Sequence, residues 1–168
     1  MFIKNTIRIA LLLCCYWVSN TGLAEETVQI SEPSALDIQF MEQQRQTVQK
    51  LAASNLGRQF SGDKARDLEL LQALLDRGLV RPDQVRELQA MGVIMGDLLA
   101  ADLGMHWVIY EDSMGRSRAL RWQESDNYLF PITMIARRRE VGNETPVVAI
   151  YQRAYDTIDG NRPALPFQ

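Results

Sequence analysis

Cysteine, histidine and lysine are scarce in this 168-residue chain, which holds two, one and three of them. Both cysteines, Cys14 and Cys15, fall in an N-terminal stretch that reads as a leader, so the chain beyond it has no thiol. That excludes a disulfide framework, a thiolate metal site and a cysteine nucleophile. The lone His106 cannot supply the several imidazoles of a usual zinc centre, and no metal or cofactor is expected. It reads as a packed or surface histidine. As a general base it would serve Ser113, Ser117 or Ser125, but none of these sits in a nucleophile elbow, and no catalytic residue is assigned. Phosphate-loop and dinucleotide fingerprints are absent, as is any period of 20 to 50 residues. With so little lysine and a formal charge of −3, the chain is not a general nucleic-acid binder.

What is present begins with the leader. Lys4 and Arg8 precede an apolar run, Ile9 to Val18, too short to span a bilayer. Gly22 and Ala24 then occupy the small-residue positions of a cleavage site. The order predicts a secretory signal peptide over 1–24, cut after Ala24, and a periplasmic protein with no stable membrane anchor once the signal is removed. Acylation at Cys14 or Cys15 is disfavoured because Leu13 is not small and Tyr16-Trp17-Val18 would be stranded at the new terminus. Cleavage removes two positive charges and takes the formal charge from −3 to −5.

Residues 25–34 read as a flexible arm, 35–158 as one α+β domain and 159–168 as a tail. Ser34 is the N-cap of a first helix over 35–56, stopped at Gly57, and a second helix covers 63–76 with Gly78 beyond it. A third, over 82–103, has Pro82 as its first residue and Gly104 as its stop. Its apolar surface is wide enough for burial on more than one side, and Gly92 and Gly96 predict close approach of another backbone. The β-branched and aromatic run from His106 then turns at a three-residue loop, Ser113-Met114-Gly115, and returns through Trp122. That loop places Asp112 opposite Arg116, Tyr110 opposite Arg118, Val108 opposite Leu120, Trp107 opposite Arg121 and His106 opposite Trp122. A short strand at 128–130, a helix from Pro131 to about Arg139 or Glu140, and a helix from Thr145-Pro146 to about 158 follow. The fold class is therefore α+β: three N-terminal helices, a small antiparallel sheet built on a β-hairpin, and two short C-terminal helices.

From Met91 onward the chain resembles a bacterial family known as domain of unknown function 3806. The resemblance is carried by Met91-Gly92-Val93-Ile94-Met95-Gly96, Leu103-Gly104, Trp107-Val108, Asp112, Gly115-Arg116, Ala119-Leu120-Arg121 and Phe130-Pro131-Ile132-Thr133-Met134-Ile135. It covers about half of the chain beyond the leader. It implies these element boundaries and brings no activity, cofactor or catalytic residue.

The functional signal is arginine. From Ser113 to the C-terminus there are eight Arg, no Lys and six acids, whereas residues 25–112 carry eight bases against fifteen acids. Arg116, Arg118 and Arg121 on the hairpin, with Trp107 and Tyr110, are the candidate binding residues. The run Arg137-Arg138-Arg139, with Trp122, would complete one side of a groove. Guanidinium groups grip carboxylates in bidentate fashion and stack on aromatic rings, so the expected partner is an anionic small molecule, a peptide or an envelope protein. Internal pairing with the acidic N-terminal half is the competing role for the same arginines. The sequence thus favours a non-enzymatic binding or interaction module. The alternative is a cell-envelope hydrolase drawing on Glu111, Asp112, Glu124 or Asp126 near the hairpin.

Overall fold

In a computed structural model, residues 28–160 are described; the predicted signal peptide, the start of the arm and residues 161–168 lie outside them. The chain orders as β1 (Gln29–Ser31), α1 (Ala35–Leu56), α2 (Lys64–Asp76), α3 (Val85–Leu103), β2 (Met105–Asp112), β3 (Gly115–Trp122), β4 (Tyr128–Leu129), α4 (Pro131–Met134), α5 (Ala136–Glu140) and α6 (Val147–Asp159). This is the α+β architecture the sequence implies, with α4 and α5 splitting the helix expected from Pro131.

Local chemistry accounts for most boundaries. Ser34 caps α1, its hydroxyl accepting from the Asp37 N–H while the Asp37 side chain accepts from the Ser34 N–H. Gly57 closes the same helix at φ 62°, and Asp63 caps α2. The start of α3 comes later than expected: Pro82 belongs to a turn in which the Gln84 N–H bonds the Arg81 carbonyl and the Arg81 N–H bonds the Gln84 side chain. Likewise Pro146 is itself the N-cap of α6, which has no side-chain cap; the Thr145 hydroxyl turns to Asn143, to which it donates.

Helix α3 is the axis of the core. Leu88, Met91, Met95 and Leu99 are fully buried, and the run Ala90–Gly96 has no exposed member. Gly92 meets another backbone as expected, whereas Gly96 makes room for side chains. A β-carbon on Gly92 would lie 2.5 Å from the Ile132 carbonyl oxygen, and one on Gly96 would lie 2.5 Å from the Trp107 ring. The bare helix thus lets α4 and the Trp107 indole approach.

The sheet is antiparallel in the order β1-β2-β3-β4. Two findings correct the sequence reading. Part of the presumed arm is a strand: Ile30 pairs with Tyr110 at the β2 edge, a three-residue element too short for a sequence pattern and defined by its neighbour. The hairpin turn has two residues, not three. The Asp112 carboxylate accepts from the N–H groups of Met114 (2.8 Å) and Gly115 (3.1 Å), which closes the turn over Ser113-Met114 and sets Asp112 opposite Gly115. Every expected pair therefore slips by one: Trp107 faces Leu120, Ile109 faces Arg118, Tyr110 faces Ser117, Glu111 faces Arg116, and His106 faces Arg121. In a ladder of period two, that slip exchanges the β2 residues that share a face with each arginine.

Gly92→Ala tests the packing. Ala is the better helix former by about 1 kcal/mol, yet crowding the Ile132 and Pro131 carbonyls is expected to produce a net loss of about 1–3 kcal/mol in urea denaturation. A gain in stability would contradict the close approach.

Candidate functional site

The candidate residues lie on two faces in either register, and the corrected one exchanges Tyr110 for Trp107 on the face of Arg116 and Arg118. Trp107, Arg116 and Arg118 point toward the helices; Tyr110 and Arg121 point away. The five do not form one surface.

On the helix side the arginines meet an acid of the chain itself. Asp37, in the first turn of α1, is only 2% exposed. Its carboxylate accepts two bonds from Arg116 (2.9 and 2.6 Å) and is met by Nη2 of Arg118 at 2.8 Å. The Ser34 N–H and hydroxyl complete its shell at 3.0 and 2.5 Å. Arg118 also stacks on the Phe40 ring, 4.1 Å from its centroid. The Arg116 hydrogen bonds hold the Asp37 pKa well below the ordinary carboxylate value, with Ser34 adding to the effect and burial opposing it.

Trp107 is similarly occupied. Its indole N–H donates to Asp97 on α3 at 3.0 Å, and Arg45 of α1 grips the same carboxylate at 2.7 and 2.9 Å. The first turn of α1 is thereby tied to the hairpin and its middle to α3.

On the outer face, Arg121 donates to the Ser125 carbonyl, the Glu124 carbonyl and the Glu124 carboxylate at 2.8–2.9 Å, closing the loop after β3. Tyr110 packs edge-on against Tyr128 and Phe130, with ring centroids 5.1 and 5.3 Å apart. Glu111 and Glu124 do not converge. Asp112 holds the turn, Glu124 pairs with Arg121, and Glu111 lies near the hairpin tip, about 20 Å along the strands from Glu124 at about 3.3 Å per residue. That separation exceeds the roughly 5–9.5 Å between two carboxyl groups that glycoside hydrolysis requires. His106 is half-buried beside Arg121.

A concavity does exist beside Arg118. Between β3 and the α4–α5 segment lies a cleft of about 400 Å³ lined by Ser117, Arg118, Phe130, Ile132, Thr133 and Arg137. Its volume is in the range of small-ligand sites, about 300–1,000 Å³. Arg118 brings to it a guanidinium whose buried Nε has no partner among the described residues. Arg137 is exposed and has no ion pair among the described residues. The cleft therefore combines one half-committed guanidinium, one uncommitted guanidinium, an aromatic ring and two hydroxyls. The sequence named Arg118 and Arg137 but missed Ser117, Phe130, Ile132 and Thr133, which become neighbours only because Pro131 turns the chain out of the sheet. Asp37 was missed as well, although the Ser34-x-x-Asp37 spacing of a capping box places an acid in the first turn of α1.

The Asp37 cluster has a measurable pH signature. A carboxyl group whose pKa is lower folded than unfolded stabilises the fold fully above the unfolded value, about 3.9, and loses that contribution as pH falls toward the folded value. Asp37→Asn leaves two guanidinium groups facing a neutral amide. It is expected to cost about 3 kcal/mol at pH 7 and to flatten the decline in stability below about pH 5. Denaturant titrations from pH 7 to pH 3 measure both; an unchanged acid limb would remove the cluster from the account.

The family described as Domain of unknown function (DUF3806) has a model that matches residues 67–151, from α2 into α6. No curated protein matches. A crystal structure from Bacteroides thetaiotaomicron VPI-5482 superposes with a TM-score of 0.70 at 22% identity, covering 79% of this chain and 49% of that one. At that identity the likeness shows the fold, and this chain spans about half the length of the other. The family match covers half of the sequence, and it takes in the paired glycines of α3, the whole hairpin and every residue of the cleft: the chain belongs to the DUF3806 family.

Proposed function

We propose that this chain is a non-enzymatic binding module, exported to the periplasm, that holds an anionic group in the cleft between β3 and α4–α5. The observation that carries the reading is that Arg137 and Arg118 both line a ligand-sized cleft, with no acid paired to Arg137 among the described residues. A carboxylate or phosphate there would accept from Arg137 and take up the donor capacity that Arg118 does not spend on Asp37. Phe130 and Ile132 would contact the apolar body of the same ligand. Arg116, Trp107, Arg121 and Tyr110, the other residues of the sequence reading, serve this site indirectly by holding the strands and α1 that frame it.

The probes are inorganic phosphate and glutarate, titrated against the isotopically labelled protein by NMR. Shifts are expected at Ser117, Phe130, Thr133 and Arg137. Arg137→Ala should weaken binding about tenfold, the worth of one charge-assisted contact, while Arg66→Ala, exposed on α2 and outside the cleft, should leave it unchanged. Equal sensitivity to the two substitutions, or shifts only outside the cleft, would sink the reading.

Export is supported by the order of basic, apolar and small residues in 1–24. The intact mass of the protein from a periplasmic extract is expected to correspond to a chain beginning at Glu25. A mass retaining Met1, or one carrying acyl chains on Cys15, would contradict it.

A further inference from the structure

The edge of β3 that borders the cleft is paired with no described strand, for a reason written in the sequence. The Trp122 N–H bonds the Asn127 carbonyl at 3.1 Å, which fixes the side of β3 on which its even-numbered residues make main-chain hydrogen bonds: toward β4. The ladder continues with Leu120 opposite Leu129. One step further, the residue opposite Arg118 would be Pro131, which has no N–H to donate and instead begins α4. Pairing of β3 with β4 accordingly ends at Leu120, and the main-chain N–H and C=O of Arg118 lie along an edge that no described strand covers. Ser117 and Arg118 of this segment line the cleft.

We propose that the occupant of the cleft is an extended acidic peptide that pairs with β3 at Arg118, continuing the line of β4. This rests on the anion-binding reading above and names its ligand class. An extended peptide supplies the main-chain donor and acceptor that Pro131 withholds, the usual mode of recognition at a sheet edge. Successive side chains of a strand point to opposite sides, so every second residue of the peptide faces the cleft. A carboxylate at such a position meets Arg137 and Arg118. Charge selects the partner: the guanidinium groups border this edge in a chain that is acidic as a whole, so a basic or neutral strand gains nothing from them.

The test uses the full chain and an acetylated, amidated pentapeptide of alternating valine and glutamate. Its comparators are the same peptide with lysine for glutamate and a set singly N-methylated at each internal position. Binding of the glutamate peptide is expected to slow amide exchange at Arg118. N-methylation should weaken binding about tenfold at alternate positions and have little effect between them, because only every second peptide N–H faces β3. Arg137→Ala should abolish the preference for glutamate over lysine. Equal binding of the lysine peptide, or a flat response along the N-methyl series, would overturn the proposal. If phosphate or glutarate shifts the cleft resonances and the peptide does not, strand addition fails while anion binding survives. If none of the three binds, both fail.

Discussion

A carboxylate withdrawn from water stays ionised only when cations and N–H donors replace the solvent, and Asp37 has such a shell. Arg116, which supplies part of it, lies 79 positions away in sequence. Burying one charge against two guanidinium groups carries a desolvation cost, and such clusters contribute less to net stability than to geometry. Here the geometry matters most. The bidentate Arg116 contact fixes the start of α1 over the hairpin, and the second contact, to Arg118, draws that side chain inward onto Phe40. Asp97 repeats the device further along α1, where one carboxylate joins Arg45 to Trp107.

This internal use of arginine explains why a cluster that looks like a ligand face in sequence is mostly scaffold in three dimensions. Arg116, Arg118 and Arg121 each reach an acid of the same chain. What distinguishes Arg137 is its element. It sits on a five-residue helix after Pro131, on the far wall of a cleft and away from the acids of α1. The same proline that follows β4 thus ends its pairing with β3 and carries the Arg137 guanidinium round to the cleft beside that edge.

The helices were legible because their signals are local. Ser34, Gly57 and Gly104 mark ends by capping chemistry, and the width of the apolar surface on α3 announced its central position. The Gly92–Gly96 spacing even foretold a close approach, though not that α4 and Trp107 would make it. The sheet was less legible, because its details depend on partners. β1 exists only against β2, and the two-residue turn depends on the Asp112 side chain outcompeting a longer loop. The observed register, one residue away from the expected one, separates Tyr110 from Arg118 and brings Trp107 to their face instead; in either register the five candidates lie on two faces. Capping-box spacing was present at Ser34 and Asp37, but spacing alone gives no hint that two arginines from a distant hairpin close over the acid.

The central claim is that Asp37 and Arg116 act as a coupled pair that positions the hairpin and, through it, the cleft wall. A double-mutant cycle of Asp37→Asn and Arg116→Gln, read by denaturant unfolding at pH 7, tests it most directly. The account predicts a coupling energy of more than about 1 kcal/mol, above the roughly 0.3–0.5 kcal/mol scatter of independent sites. Additive effects within that scatter would contradict it.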